Sequence, residues 1–140
     1  YWKDSVPVIY KYPDPDGKSN TIRLRYADIL LLKAEALVNM HQVSAAMDIV
    51  NNKIRARVHL APKITSDEAT AKLIIDNERR LELCFEGHRW YDLLRSGRAI
   101  EVMNSQEDGE GHSLNYNVTA AKLYFPIPQD EVDRNPNINK

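Results

Sequence analysis

Apolar residues recur at helical spacing in three long stretches of this chain. In the first, about Arg23 to Met40, Ile22, Tyr26, Ile29, Leu30, Ala34 and Leu37 share a face, and Leu31, Leu32 and Val38 widen it. This pattern predicts a helix packed on more than one side. In the second, about Ser44 to Val58, the stripe is Ala46, Met47, Val50 and Ile54. Ser44 is its predicted N-cap, and Lys53, Arg55 and Arg57 load its C-terminal end, where the helix dipole favours cations. The connection His41-Gln42-Val43 is short, so these two helices are predicted to be antiparallel neighbours. The third opens at Thr65, with Glu68 three residues on as a capping box, and runs to about Phe85 through Ala69, Leu73, Ile74, Leu81 and Cys84. A fourth runs from about His88 to Arg95 with Gly97 as its stop, and Arg98 to Asn104 adds a further turn or two.

The ends of the chain lack this period. Over residues 1–21 Val6, Val8 and Tyr10 alternate, Pro7 limits any strand to an edge, and Pro13-Asp14-Pro15-Asp16-Gly17 is a turn. Ser105 to Asn117 reads as an exposed, mobile loop. Leu123 to Pro128 is extended. Pro126 and Pro128 exclude it from a central strand, and it is expected to cross the helices and bury Tyr124, Phe125 and Ile127. Asp130 to Asp133 forms one helical turn. The predicted fold is all-α: helical hairpins of roughly 34 residues, resembling tetratricopeptide repeats, between irregular extended segments. Residues 1–21 are the lead-in and residues 22–140 the helical domain.

Composition narrows the chemistry. A chain of 140 residues with 43% hydrophobic and 28% charged residues suits one domain with a real core. A net charge of −1 gives no pull towards nucleic acid or an acidic membrane. The single cysteine excludes an internal disulfide, and Cys84, between Leu83 and Phe85, reads as a small buried hydrophobe. No apolar run reaches the ~18 residues of a membrane span. There is no Gly-rich phosphate loop, no His-Glu-x-x-His and no cysteine cluster, and the four histidines are scattered singly. No metal or cofactor is predicted. Asp28 and Glu35, a heptad apart, are the residue type a glycosidase uses, but a solvated or arginine-paired strip needs fewer assumptions. No catalytic residue is assigned. Tyr1, Trp2, Tyr10 and Tyr12 cluster on the polar lead-in. They are candidates either for stacking on sugar rings or for covering the helical body.

The densest stretch runs from Glu78 to Ala99. Nearly half of it is charged, yet it holds Phe85, Trp90, Tyr91, Leu93 and Leu94. Asp76–Arg79, Arg79–Glu82, Glu86–Arg89, Arg89–Asp92 and Asp92–Arg95 are each three apart and predict a ladder of ion pairs. Gly87 is predicted to break the helix, with the aromatics plugging the corner.

Phe85-Glu86-Gly87-His88-Arg89-Trp90-Tyr91-Asp92-Leu93 after Glu78-Arg79-Arg80-Leu81-Glu82 resembles the signature of the RagB/SusD family. Leu24 to Ala36 resembles the family's upstream helix, and Phe125-Pro126-Ile127-Pro128-Gln129-Asp130-Glu131 with Asn135-Pro136-Asn137 its C-terminal tail. The resemblance covers about residues 20–140. Ser96 stands where the family often has a bulky residue, and Cys84 where it often has a small one. The matching signature positions are Glu78, Arg79, Glu82, Phe85, Glu86, Gly87, His88, Arg89, Trp90, Asp92 and Arg95, and the resemblance implies that they are a fold element. It further implies a non-catalytic, nutrient- or glycan-binding outer-membrane lipoprotein of Bacteroidetes. Such a protein sits at the cell surface and delivers an oligosaccharide or other nutrient to a TonB-dependent, SusC-like transporter. Family members are several times longer, so the chain is expected to be a C-terminal portion, with the lipid anchor outside it. The helix pairs alone also fit an autonomous helical-repeat module that binds a peptide or protein.

Overall fold

Helix formation starts at Tyr26, once the chain has left its proline-containing lead-in. The computed structural model describes residues 2, 3, 6, 7, 9, 11, 12, 14, 16–135, 137 and 138, the first four by backbone alone. It divides into two compact units, Tyr1–Arg89 and Trp90–Lys140.

In the first unit, β1 (Trp2–Lys3) and β2 (Val6–Pro7) pair antiparallel, Trp2 opposite Pro7 and Lys3 opposite Val6. The expected alternation through Val8 and Tyr10 lies outside the described residues. The predicted turn forms, with Gly17 N–H donating to Asp14 O at 3.3 Å and Gly17 at φ +69°. Three helical elements follow: α1 (Tyr26–Asn39), α2 (Val43–Ile49) and α3 (Glu68–Glu82). α2 continues without a break as a π-helical stretch, Val50–Arg55, and a 3₁₀ turn, Ala56–Val58. α1 packs on both α2 and α3, and the core they enclose includes Ala34, Val38, Ala46, Val50, Ala71 and Ile75. The helical-hairpin reading of the fold holds.

The faces differ from expectation on two helices. On α1 the buried positions are Asp28, Leu31, Ala34 and Val38, while Tyr26, Ile29 and Leu32 are exposed. On α3 they are Ala71, Ile75, Glu78 and Arg79, while Leu73 and Leu81 are exposed. The physical cause is pairing. Arg79 Nη1 donates to Asp28 Oδ1 at 2.8 Å, and Arg55 Nη1 donates to Glu78 Oε1. A charge is tolerated inside only with its partner, so these two pairs turn α1, the π-helical stretch and α3 towards each other.

Helix ends follow local chemistry. The predicted caps each shift by two residues: Gln42 rather than Ser44 precedes α2, and Asp67 rather than Thr65 caps α3, accepting from Thr70 N–H at 2.7 Å. Two helix ends use histidine in the left-handed region. His41 (φ +62°) and His59 (φ +57°) each close a Schellman motif, with Gln42 N–H donating to Leu37 O at 2.8 Å and Leu60 N–H to Arg55 O at 3.1 Å. Histidine is among the side chains that tolerate this conformation best. Between α3 and α4 (Arg89–Arg95) the chain turns through Leu83–Gly87, with Phe85 at φ +65° and Gly87 at φ +81°. The predicted break is there, but Phe85 and Tyr91 are exposed rather than plugging it.

In the second unit, α4 ends in a Schellman motif with Gly97 (φ +71°) in the left-handed position, Arg98 N–H donating to Leu93 O at 3.0 Å. α5 (Ala99–Asn104), a 3₁₀ turn at Ala120–Lys122 and α6 (Gln129–Arg134) follow. The 105–117 segment is exposed but internally bonded. Asp108 N–H donates to His112 O at 2.9 Å, and the Asn104 side chain both donates to Val118 O (3.0 Å) and accepts from its N–H (2.7 Å). One expectation is overturned. Tyr124, Phe125 and Ile127 are not buried, and Phe125 is 97% exposed. Apolar character alone does not compel burial. Among the described residues no helix is long and apolar enough to cross a membrane.

Candidate functional site

The signature residues of the first unit gather around the Leu83–Gly87 turn, but not as the predicted ladder. Glu86 does not reach Arg89, because the backbone has left the helix between them, and residues three apart no longer share a face. Its carboxylate, with no side-chain exposure, instead accepts from Lys11 Nζ at 2.6 Å and from Arg25 Nε at 3.0 and 2.9 Å. Glu82 pairs with Arg25 Nη1 at 2.6 Å and with Arg57 Nη2 at 2.7 and 2.8 Å rather than with Arg79. The carbonyls of the turn are taken up by the same cations. Lys11 Nζ donates to Glu82 O (3.1 Å) and Cys84 O (2.7 Å), and Arg25 Nη2 also donates to Glu82 O. Cys84, expected to be buried, is half-buried. Two cations from the lead-in and the start of α1 thus satisfy carbonyls at the end of α3 and in the turn beyond it.

Burial disfavours the charged form of Glu86, but hydrogen bonds from Arg25 and Lys11 outweigh it and hold its pKa below the usual carboxylate value. Burial likewise works against the Arg25 guanidinium, and Glu86 and Glu82 more than offset it, raising its pKa.

The other signature positions serve separate pairs. Glu78 and Arg79 bond to Arg55 and Asp28 as described. Asp28 is therefore buried and arginine-bound, not presented to a substrate. Arg89 grips Asp76 bidentately at 2.5 and 3.0 Å, with 30% and 22% of the two side chains exposed. Arg89→Ala is expected to cost about 1–2 kcal/mol in urea unfolding, between the values for exposed and buried pairs. A loss above about 3 kcal/mol would mean that this pair is desolvated. In the second unit Asp92 and Arg95 pair as predicted, at 2.9 Å. His88 Nε2 is buried with no hydrogen-bond partner among the described residues, as is the Tyr12 hydroxyl.

Of the stacking candidates, Tyr1 and Tyr10 lie outside the described residues, and only the backbone of Trp2 is described. Tyr12, next in sequence to the anchored Lys11, is half-buried, and its hydroxyl is buried.

Two clefts open on the first unit. One, of about 560 Å³, lies between α2 and the 63–68 segment and is lined by His41, Ser44, Asp48, Asn51 and Thr65 over Met47. Much of its polar lining is already engaged. Asn51 donates to Lys63 O (2.9 Å) and accepts from its N–H (2.8 Å), and His41 Nδ1 lies 2.5 Å from Glu68 Oε1. The other, of about 440 Å³, lies beside the start of α1 and is lined by Arg25, Tyr26, Lys53, Ile54, Arg57 and Glu82, among others. Sequence reasoning missed Lys11, Arg25, Tyr26, Lys53 and Arg57 as site residues. No spacing signal links residues 25 to 75 positions apart, as in the Arg57, Arg25 and Lys11 pairs.

Helical hairpins closed by buried ion pairs define this chain as an all-α helical scaffold. More narrowly, it belongs to the SusD family, whose profile matches residues 4–140. Similar proteins include three from Formosa agariphila. SusD-like protein P38 is 43% identical over 61% of this chain and 18% of its own length. SusD-like protein P2 is 32% identical over 88% of this chain and 25% of its own. SusD-like protein P25 is 31% identical over 89% and 24%. The chain thus spans about a fifth to a quarter of the length of these curated relatives. No solved structure matches it significantly.

Proposed function

We propose that this chain is the helical scaffold of a glycan-binding component of a nutrient-uptake system. The protein captures an oligosaccharide or another nutrient and performs no chemistry on it. It passes the ligand to a TonB-dependent, SusC-like transporter in the outer membrane, and a lipid anchor outside this sequence holds it at the cell surface. The observation that carries the reading is the family match over residues 4–140. The site geometry is consistent with it. The signature carboxylates Glu78, Glu82 and Glu86 are bonded to cations of the body, which suits a framework that positions other surfaces. The test is a glycan array probed with the full-length protein, together with co-purification from its host membrane. Binding to at least one glycan and recovery of a transporter are expected. Absence of both across a broad panel would overturn the proposal.

A further inference from the structure

The smaller cleft has a charge the scaffold does not use. Arg25 is occupied by Glu82 and Glu86. Arg57 gives only Nη2 to Glu82, leaving Nε and Nη1 without a partner among the described residues, and its side chain is 56% exposed. Lys53 is exposed and has no ion-pair partner among the described residues. Three cationic side chains therefore line a space that holds one carboxylate, Glu82. Tyr26, which the apolar stripe of α1 assigned to the core, instead stands 74% exposed at the same cleft. The buried Ile54 gives the cleft an apolar floor. The helix that supplies Lys53 and Ile54 departs here from regular winding into its π-helical stretch, a distortion that recurs at functional sites.

An aromatic ring face suits the apolar C–H face of a pyranose, and an exposed cation beside it, with the open Nε and Nη1 of Arg57, suits an anionic substituent. A neutral sugar would leave Lys53 without counter-charge and Nε and Nη1 of the Glu82-bound Arg57 without an acceptor from the ligand. We infer that this cleft is a subsite for an acidic sugar unit, with its carboxylate or sulfate on Lys53 and Arg57 and its ring against Tyr26. The inference rests on the glycan-binding reading above and names the class of glycan bound.

Titration calorimetry of the full-length protein tests it with three probes: a galacturonate hexamer, the methyl ester of that hexamer, and a sulfated carrageenan oligosaccharide. At least one acidic probe is expected to bind about tenfold or more tighter than the ester, since a charge-assisted contact is lost on esterification. Lys53→Gln is the decisive variant. Lys53 has no ion-pair partner to strand among the described residues, so the melting temperature is expected to stay unchanged while acid binding falls about tenfold and ester binding does not move. Tyr26→Ala is expected to weaken acid and ester alike. Acid binding untouched by Lys53→Gln, or ester binding as tight as acid, would overturn the subsite while the glycan-binding function stood. If no probe binds, the subsite is also overturned, and the glycan array then decides separately whether the broader function survives.

Discussion

Replacing Arg79 with alanine is expected to lower the unfolding free energy by about 3–5 kcal/mol, the range for stranding one member of a buried ion pair. The Arg79 and Asp28 side chains are only 3% and 5% exposed, and Arg79 Nη1 reaches both the carboxylate, at 2.8 Å, and the backbone carbonyl of Asp28, at 3.3 Å. The alanine variant leaves the Asp28 carboxylate inside the α1–α3 contact with this bond gone. Two measurements separate this account from a general packing loss. Urea midpoints of Arg79→Ala should fall well below those of the parent chain. The double variant Asp28→Asn with Arg79→Met should recover part of the loss, because the buried Asp28 position then carries no charge without its arginine. A single-variant loss below about 1 kcal/mol would mean that the pair is solvated.

Glu86→Gln is expected to have the next largest effect, about 2–3 kcal/mol at neutral pH, because the side chain is fully buried while its partners Lys11 and Arg25 are partly exposed. The variant also has a pH signature. The folded-state pKa of Glu86 lies below its ordinary value of 4.5, so the charged form is favoured by folding. Its contribution is full above the ordinary value and is lost as the pH falls through the lower folded one. The parent chain should therefore lose more stability on acidification than Glu86→Gln does. Limited proteolysis gives a second readout, since cleavage before Tyr26 should accelerate once Lys11 and Arg25 lose their shared acceptor. Equal acid limbs and equal cleavage rates would show that Glu86 does not hold the lead-in.

What could be read from the sequence was local. Periodicity located α1, α2 with its continuation, and α3. Gly87 and Gly97 marked a break and a stop because only a few side chains accept a positive φ. The signature pointed to the family. Facing was harder to read. Leu73 and Leu81 looked like core positions on α3, and Glu78 and Arg79 displaced them because Arg55 and Asp28 were waiting on neighbouring elements. Period alone cannot anticipate that, since it treats every charge as outward. The ladder prediction failed at Glu86 for a related reason: spacing rules hold only while the backbone remains helical. Tyr26 was misassigned because an aromatic at helical spacing reads as core, whereas here it stands at the mouth of the cleft.

The anchoring of the Leu83–Gly87 turn has a consequence for the order of folding. Its cations, Lys11 and Arg25, precede their acceptors by 57 to 75 residues, so closing these contacts requires ordering a long intervening chain. During synthesis the lead-in emerges before the signature stretch that supplies these acceptors. The α1–α2 hairpin, whose contacts are short-range, assembles ahead of that event. Docking of the lead-in is expected to be a late step, and substitutions at Lys11 should mainly speed unfolding rather than slow folding.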